Sequence, residues 1–290
     1  MQWQGREESS KVDDRRGVSG GGLAIGGGVI GVIFILVKFL LGDGDINDLS
    51  QLVQQPQQQQ TEMNTEQKAA DDKEADFVKV VLKDTEDVWG KIFSDMGKTY
   101  TDPTLVLFRG STTSGCGNAS AASGPFYCPA DQDVYIDLSF AQQLKQQFGA
   151  TGDFAMAYVV AHEVGHHVQD LLGVTAKMEQ VQQQVSETEY NKYSVRLELQ
   201  ADFYAGVWAH YEQQAKSKGV VISRADIDSA LVAAHAIGDD RLQMQSQGYV
   251  TPDSFTHGTS AQRMYWFKKG FDTGDIKQGD TFSRREEEEL

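Results

Sequence analysis

The 290-residue chain is short of cysteine, of basic side chains and of histidine. Its two cysteines cannot build a zinc site of three or four thiolates, and they exclude a dense disulfide scaffold. With 26 Lys and Arg against 42 Asp and Glu, the formal net charge is −16. A surface that acidic repels phosphate backbones, which excludes nucleic-acid binding as a main function. Six histidines are few enough to weigh one by one. What is there is globular: 40% hydrophobic and 23% charged residues, on a chain long enough for one or two domains with real cores.

Residues 20–41 form an apolar run that carries one charge, Lys38, near its end. A helix of that length extends about 33 Å, enough for a bilayer core of roughly 30 Å, and Lys38 can snorkel to the interface. The run reads as one transmembrane helix. Gly22 with Gly26 and Gly27 with Gly31 are small-xxx-small pairs that suit self-association of that helix, or are merely tolerated in it. Arg6, Lys11, Arg15 and Arg16 precede the run, and the next basic residue after Lys38 is Lys68. That asymmetry keeps residues 1–19 cytoplasmic and sends the remainder to the periplasmic or extracellular side. A cleaved signal peptide is the alternative, although LLGDGD offers a poor cleavage site. Residues 42–75 hold few large apolar side chains and a Gln-rich stretch at 51–60, so they read as a flexible linker. Residues 76–290 are left as the folded domain.

Within that domain the periodicity predicts mostly helix. Phe77, Val81, Val88, Trp89, Ile92 and Phe93 step by threes and fours and predict a helix over 76–97. Residues 104–108 and 134–138 read as buried strands. Between them a Gly/Ser-rich loop holds Cys116 and Cys128. A disulfide there would contribute roughly 3 kcal/mol; two free thiols are the alternative, and outside the cytoplasm the bridge is favoured. Further helices are expected over 153–172, 174–185, 193–216, 226–237 and 260–271, with Asp153 capping the first of these and Gly173 ending it.

His162-Glu163-Val164-Gly165-His166 is an HExxH motif inside the 153–172 helix. Residues four apart project from one face, so the two imidazoles can take two corners around Zn²⁺. Glu163 is turned about 100° away at 3.6 residues per turn. It cannot easily join as a ligand but can reach a metal-bound water. A catalytic zinc needs a third protein ligand and an open position. The extended HExxHxxGxxH pattern is excluded, because Gln169 and Leu172 stand where its glycine and third histidine belong. The predicted helix at 193–216 carries Glu198 and Asp202, i and i+4, among Val195, Leu199, Phe203, Val207 and Trp208. Carboxylates on a core helix are costly unless paired or metal-bound. Glu198 as ligand and Asp202 as acceptor for a ligand histidine N–H would satisfy both; Glu187 and Glu189 are rival ligands, and an ordinary exposed pair is the bland alternative.

HExxH followed some tens of residues later by ExxxD resembles the glutamate-zincin metallopeptidases. More specifically the chain resembles the neutral zinc metallopeptidases of bacterial membranes. The matching pieces are residues 1–17, 124–140, VVAHEVGHHVQ at 159–169, LELQADFYAGVWA at 197–209 and DSFTHGTSAQRMYWFKKGF at 253–271. The resemblance implies a mainly α (α+β) zincin-like domain with a small sheet, anchored in the bacterial inner membrane. It implies one Zn²⁺ held by His162, His166 and Glu198, Glu163 as general base, and Asp202 supporting a ligand histidine. Peptide or protein substrates would be hydrolysed by a zinc-activated water. The oxyanion needs a further donor, for which His257, Tyr135 and Tyr127 are candidates. The strand at 134–138 would offer an edge to an extended peptide. A catalytically silent zincin fold acting as a membrane scaffold is the competing reading.

Overall fold

The computed structural model describes residues 1–17, 65–146, 149–150, 152–215 and 222–283. Its sheet is built on the apolar run at 104–108. Strand β2 (Thr104–Phe108) pairs in parallel with β1 (Val12–Asp14) on one side and β6 (Asp133–Asp137) on the other, and β5 (Phe126–Cys128) runs antiparallel outside β6. The order is β1-β2-β6-β5. Alternation decides which way each side chain points. Leu105, Leu107, Val134 and Ile136 enter the main core, whereas Val106, Phe108 and Tyr135 pack with Ala119 and Cys128 on the opposite face. A hairpin, β3 (Ser111–Ser114) with β4 (Gly117–Ser120), lies on that second face and is tied to β5 by the Cys116–Cys128 disulfide. The disulfide alternative is thus the one realised.

The rest is helical, in agreement with the expected mainly α composition with a small sheet. Helix α1 (Thr65–Asp95) buries Phe77, Val81, Trp89 and Phe93. It is followed by α2 (Ser139–Gln146), α3 (Asp153–Leu171), α4 (Val174–Gln182), α5 (Glu187–Gln214), α6 (Arg224–Ala236), α7 (Asp239–Gln247) and α8 (Ser260–Thr273). Asp153 does not cap α3; its carboxylate accepts a hydrogen bond from Trp3 Nε1, and Gly152 is the N-cap. Helices α5 and α8 meet at two glycines. A Cβ on Gly206 would stand 2.0 Å from the Phe267 carbonyl oxygen, and one on Gly270 would stand 2.1 Å from that of Phe203. Only glycine allows the two backbones that close. This frame holds α5 and α8 rigidly against each other, and α3 packs on α5.

The membrane reading is corrected by the N-terminal segment. No helix among the described residues is long and apolar enough to cross a membrane. The 20–41 run, with its glycine pairs, lies outside the described residues, as does 42–64 of the expected linker; helix α1 already begins at Thr65. Residues 1–17, expected as a separate cytoplasmic end, are part of the domain. Beyond β1, Trp3 stacks edge-on against Phe77, Arg6 pairs with Asp84 and with Glu212 at 3.4 Å, and Arg16 pairs with Asp71 at 2.7 Å. A single span between residues 17 and 65 would put β1 and β2 on opposite sides of a bilayer, yet they are paired in one sheet. The single-pass inner-membrane topology, with its cytoplasmic N-terminus and periplasmic domain, therefore does not hold. Three of the four flanking basic residues used to orient it, Arg6, Arg15 and Arg16, are bound to the domain itself.

Candidate metal centre

Helix α3 is buried along most of its length, with Phe154, Ala157, Tyr158, Ala161, Val164 and Val168 in the core. The remaining face carries His162, Glu163 and His166 toward a cavity of about 530 Å³. Gly165 lies between them in sequence and on the side facing α5. A Cβ there would come within 2.9 Å of the Ala201 carbonyl oxygen. The missing side chain lets α5 approach closely enough to bring Glu198 to the histidines. Glu198 Oε2 lies 3.1 Å from His162 Nε2, and Oε1 lies 3.4 Å from His166 Nε2. The ligand atoms of His162, His166 and Glu198 all fall within 4.8 Å of one another.

Hydrogen bonds behind the rings fix both tautomers. Asp202 Oδ1 is 2.8 Å from His162 Nδ1, and a carboxylate can only accept, so Nδ1 carries the proton. Behind His166 stands Gln169. Its Nε2 donates to the Leu197 carbonyl at 2.7 Å, which leaves Oε1 facing His166 Nδ1 at 2.8 Å. Nδ1 is again the donor. Both imidazoles therefore keep Nδ1 for the outer partner and turn Nε2 toward the Glu198 oxygens. In the metal-free protein a proton on His162 Nε2 is shared with Glu198, and a divalent cation bound there would displace it. Two imidazoles and one carboxylate form a donor set suited to Zn²⁺, with each ring held by an outer hydrogen bond as ligand histidines usually are.

The electrostatics agree with that crowding. Burial would lower His162, but Asp202 and Glu198 outweigh it and raise it to about 10. Burial would raise Glu198, yet His166 and His162 hold it well below the usual carboxylate range. Asp202, fully buried, is opposed by the same burial and is held at about 2 by Arg263 and His162. Glu163 moves the other way: burial raises it in spite of both histidines. A carboxylate whose affinity for a proton is increased is suited to proton transfer.

His257 lines the same cavity from the loop between α7 and α8. Asp239 pins that loop, with Oδ2 accepting the backbone N–H groups of Thr256, His257 and Gly258 at 2.8, 2.6 and 3.0 Å. The imidazole Nδ1 is 3.4 Å from Asp239 Oδ1 and 2.9 Å from Thr256 Oγ1, which leaves Nε2 for the cavity. Its pKa is lowered by burial but raised on balance by Asp239 and Glu198.

The two tyrosine alternatives are engaged elsewhere. Tyr135 is on the far face of the sheet with its hydroxyl on Asp131, and Tyr127 lines the cavity but donates to Asp170. Glu187 and Glu189 stand in the first turn of α5, outside the cluster. The strand expected as an edge, β6, is interior, and β5 is the edge beside the cavity. Sequence reasoning missed Tyr158, Gln169, Asp239 and Arg263. Gln169, three residues after His166 and so on the same side of α3, was the most findable of them.

A family model described as "Putative neutral zinc metallopeptidase" matches residues 1–282. A protein of Escherichia coli K12, named "Uncharacterized protein YpfJ", is 51% identical over 98% of this chain and 99% of its own. "Uncharacterized protein Rv2575" of Mycobacterium tuberculosis H37Rv is 50% identical over 63% of this chain and 64% of its own. No solved structure matches. With the family match running from the first residue through the end of the last helix, the chain belongs to the neutral zinc metallopeptidase family.

Proposed function

We propose that the protein is a zinc peptidase of the glutamate-zincin type that hydrolyses peptide bonds in the cavity between α3, α5 and the His257 loop. The observation that carries this reading is the convergence of His162, His166 and Glu198 with Glu163 beside them, all facing one cavity. The two histidines and Glu198 would hold one zinc ion, and when bound it supplies Lewis-acid polarisation of a water molecule and of the substrate carbonyl.

The chain's own residues supply the rest. Glu163 accepts a proton from the attacking water and delivers it to the leaving amine, a transfer favoured by its raised pKa. His257 Nε2 is the donor for the oxyanion, and Asp239 keeps its ring turned to that task. An extended peptide pairs with the free edge of β5, and the apolar side chains of Phe126, Val159 and Leu197 lining the cavity exclude water around the scissile bond.

The test is zinc content together with peptide-library cleavage for the full chain and for Glu163→Gln. Cleavage by the wild type, and its loss by at least about a thousandfold in a variant that keeps its zinc, supports the reading. Zinc binding with no cleavage by either protein supports the silent scaffold instead.

A further inference from the structure

Asp202 lies where three helices meet. It is carried by α5, the ring it serves is on α3, and its cationic partner is on α8. Both carboxylate oxygens are fully buried and both are used. Oδ1 accepts from His162 Nδ1 at 2.8 Å, from the Tyr158 hydroxyl at 2.5 Å and from Arg263 Nη2 at 3.0 Å. Oδ2 accepts from Arg263 Nε at 2.8 Å. His162 and Tyr158 grip a single oxygen and would be served equally by either one. Among the described residues Arg263 alone spans both, and that grip sets the rotation of the carboxylate about its bond to Cβ.

The guanidinium is itself held from behind. Arg263 is 2% exposed, with Nη1 directed at the Ile237 carbonyl oxygen at 3.4 Å. Its helix starts on a Thr259/Gln262 capping box, and Ser260 is bound by Asp240 and by the His235 carbonyl. The glycine contact between α5 and α8 sets the distance from the arginine backbone to Asp202. A rigid fork on a rigid helix thus aims a carboxylate, and the carboxylate aims the ring.

We propose that Arg263 is a positioning residue for the metal ligand His162, acting through Asp202 to turn His162 Nε2 into the site. The proposal rests on the zinc reading above. Removing the fork leaves Asp202 free to rotate and His162 without a fixed direction. Loss of the direct partner of a ligand histidine, here Asp202, typically lowers metal affinity by about 10- to 100-fold, and a misdirected Asp202 is expected at the low end of that range. Lysine keeps the charge but is a point donor that cannot span two oxygens.

The experiment measures zinc affinity of the full chain by competition with a chromophoric chelator, for wild type, Arg263→Gln, Arg263→Lys and Tyr158→Phe. Circular dichroism identifies which variants are folded. Both arginine variants are expected to bind zinc at least about tenfold more weakly, and Tyr158→Phe to stay within about threefold of wild type. At saturating zinc the KM for a peptide substrate stays unchanged in the arginine variants. Folded arginine variants with wild-type zinc affinity would overturn the proposal. So would a tenfold loss in Tyr158→Phe, which keeps the fork and can be read even if the arginine variants do not fold. A wild-type protein that binds no zinc overturns the metal reading itself, a result distinct from either.

Discussion

Two buried aspartates, each with an arginine partner, titrate in opposite directions. Asp202, beside the candidate metal site, is held down to about 2 by Arg263 and His162 against its burial. Asp84, on α1 under the N-terminal segment, is pushed up to about 8 by burial and by Glu212, and Arg6 does not offset them. The difference lies in how the donors are divided. Asp202 has a whole guanidinium plus two further donors. Asp84 shares one guanidinium with a second carboxylate, and Asp84 Oδ2 and Arg6 Nη1 find no hydrogen-bond partner among the described residues. A buried arginine–carboxylate contact is therefore not one kind of interaction. Satisfied on every atom it fixes a charge in place; half satisfied, it is a weak point that protonation relieves.

The largest expected effect is at the fully satisfied cluster. Asp202→Ala strands Arg263 as an unpaired buried charge, which costs about 3–5 kcal/mol in stability. Urea unfolding of the zinc-free protein measures it, and a loss below about 1 kcal/mol would erase the contrast. Gln169→Leu is the neutral counterpart behind the other histidine. It leaves His166 Nδ1 and the Leu197 carbonyl without their present partners, at about 1–3 kcal/mol by the same unfolding measurement. A cost equal to that of Asp202→Ala would mean that charge plays no part in the difference.

The other half of the contrast is read from pH. Asp84 has a folded pKa of about 8, above an unfolded value of about 4. The folded state then binds more protons than the unfolded state between those values. The stability Asp84 contributes is fully present below about pH 4 and is lost as pH rises through about 8, with a slope of at most about 1.4 kcal/mol per unit. Asp202 runs the other way: its contribution is present above about pH 4 and is lost as pH falls through about 2. Unfolding at pH 5, 6.5 and 8 is expected to show the wild type losing stability with rising pH and Asp84→Asn losing less. Identical slopes in the two proteins would remove Asp84 from the account.

The site was more legible in the sequence than its surroundings. HExxH with ExxxD placed His162, His166 and Glu198 because i,i+4 spacing on two buried helices leaves few ways for such residues to be accommodated. The central strands were legible because residues 104–108 are almost wholly apolar and stay buried. Strand β1 was not, since Val12 is its one apolar residue and its pairing with β2 is made by backbone groups. The β3–β4 hairpin is Ser, Thr, Gly, Asn and Ala, and helix α7 has only Leu242 and Met244 to mark a face. Arg263 was invisible for a different reason: its partners lie 61 and 105 residues away, and only the packing of α8 on α5 and α3 brings them together. The single-pass orientation failed on its flanking charges. Basic residues counted as a membrane flank are in fact the cations that dock residues 1–17 onto the domain.

The central claim is that two imidazoles and one distant carboxylate hold a single zinc ion. Its most direct test is a zinc titration of the metal-stripped full chain beside Glu198→Ala, read by chelator competition. The account predicts one tightly bound zinc per chain and a loss of at least about a hundredfold in affinity in the variant. Equal zinc affinity in both proteins would contradict it.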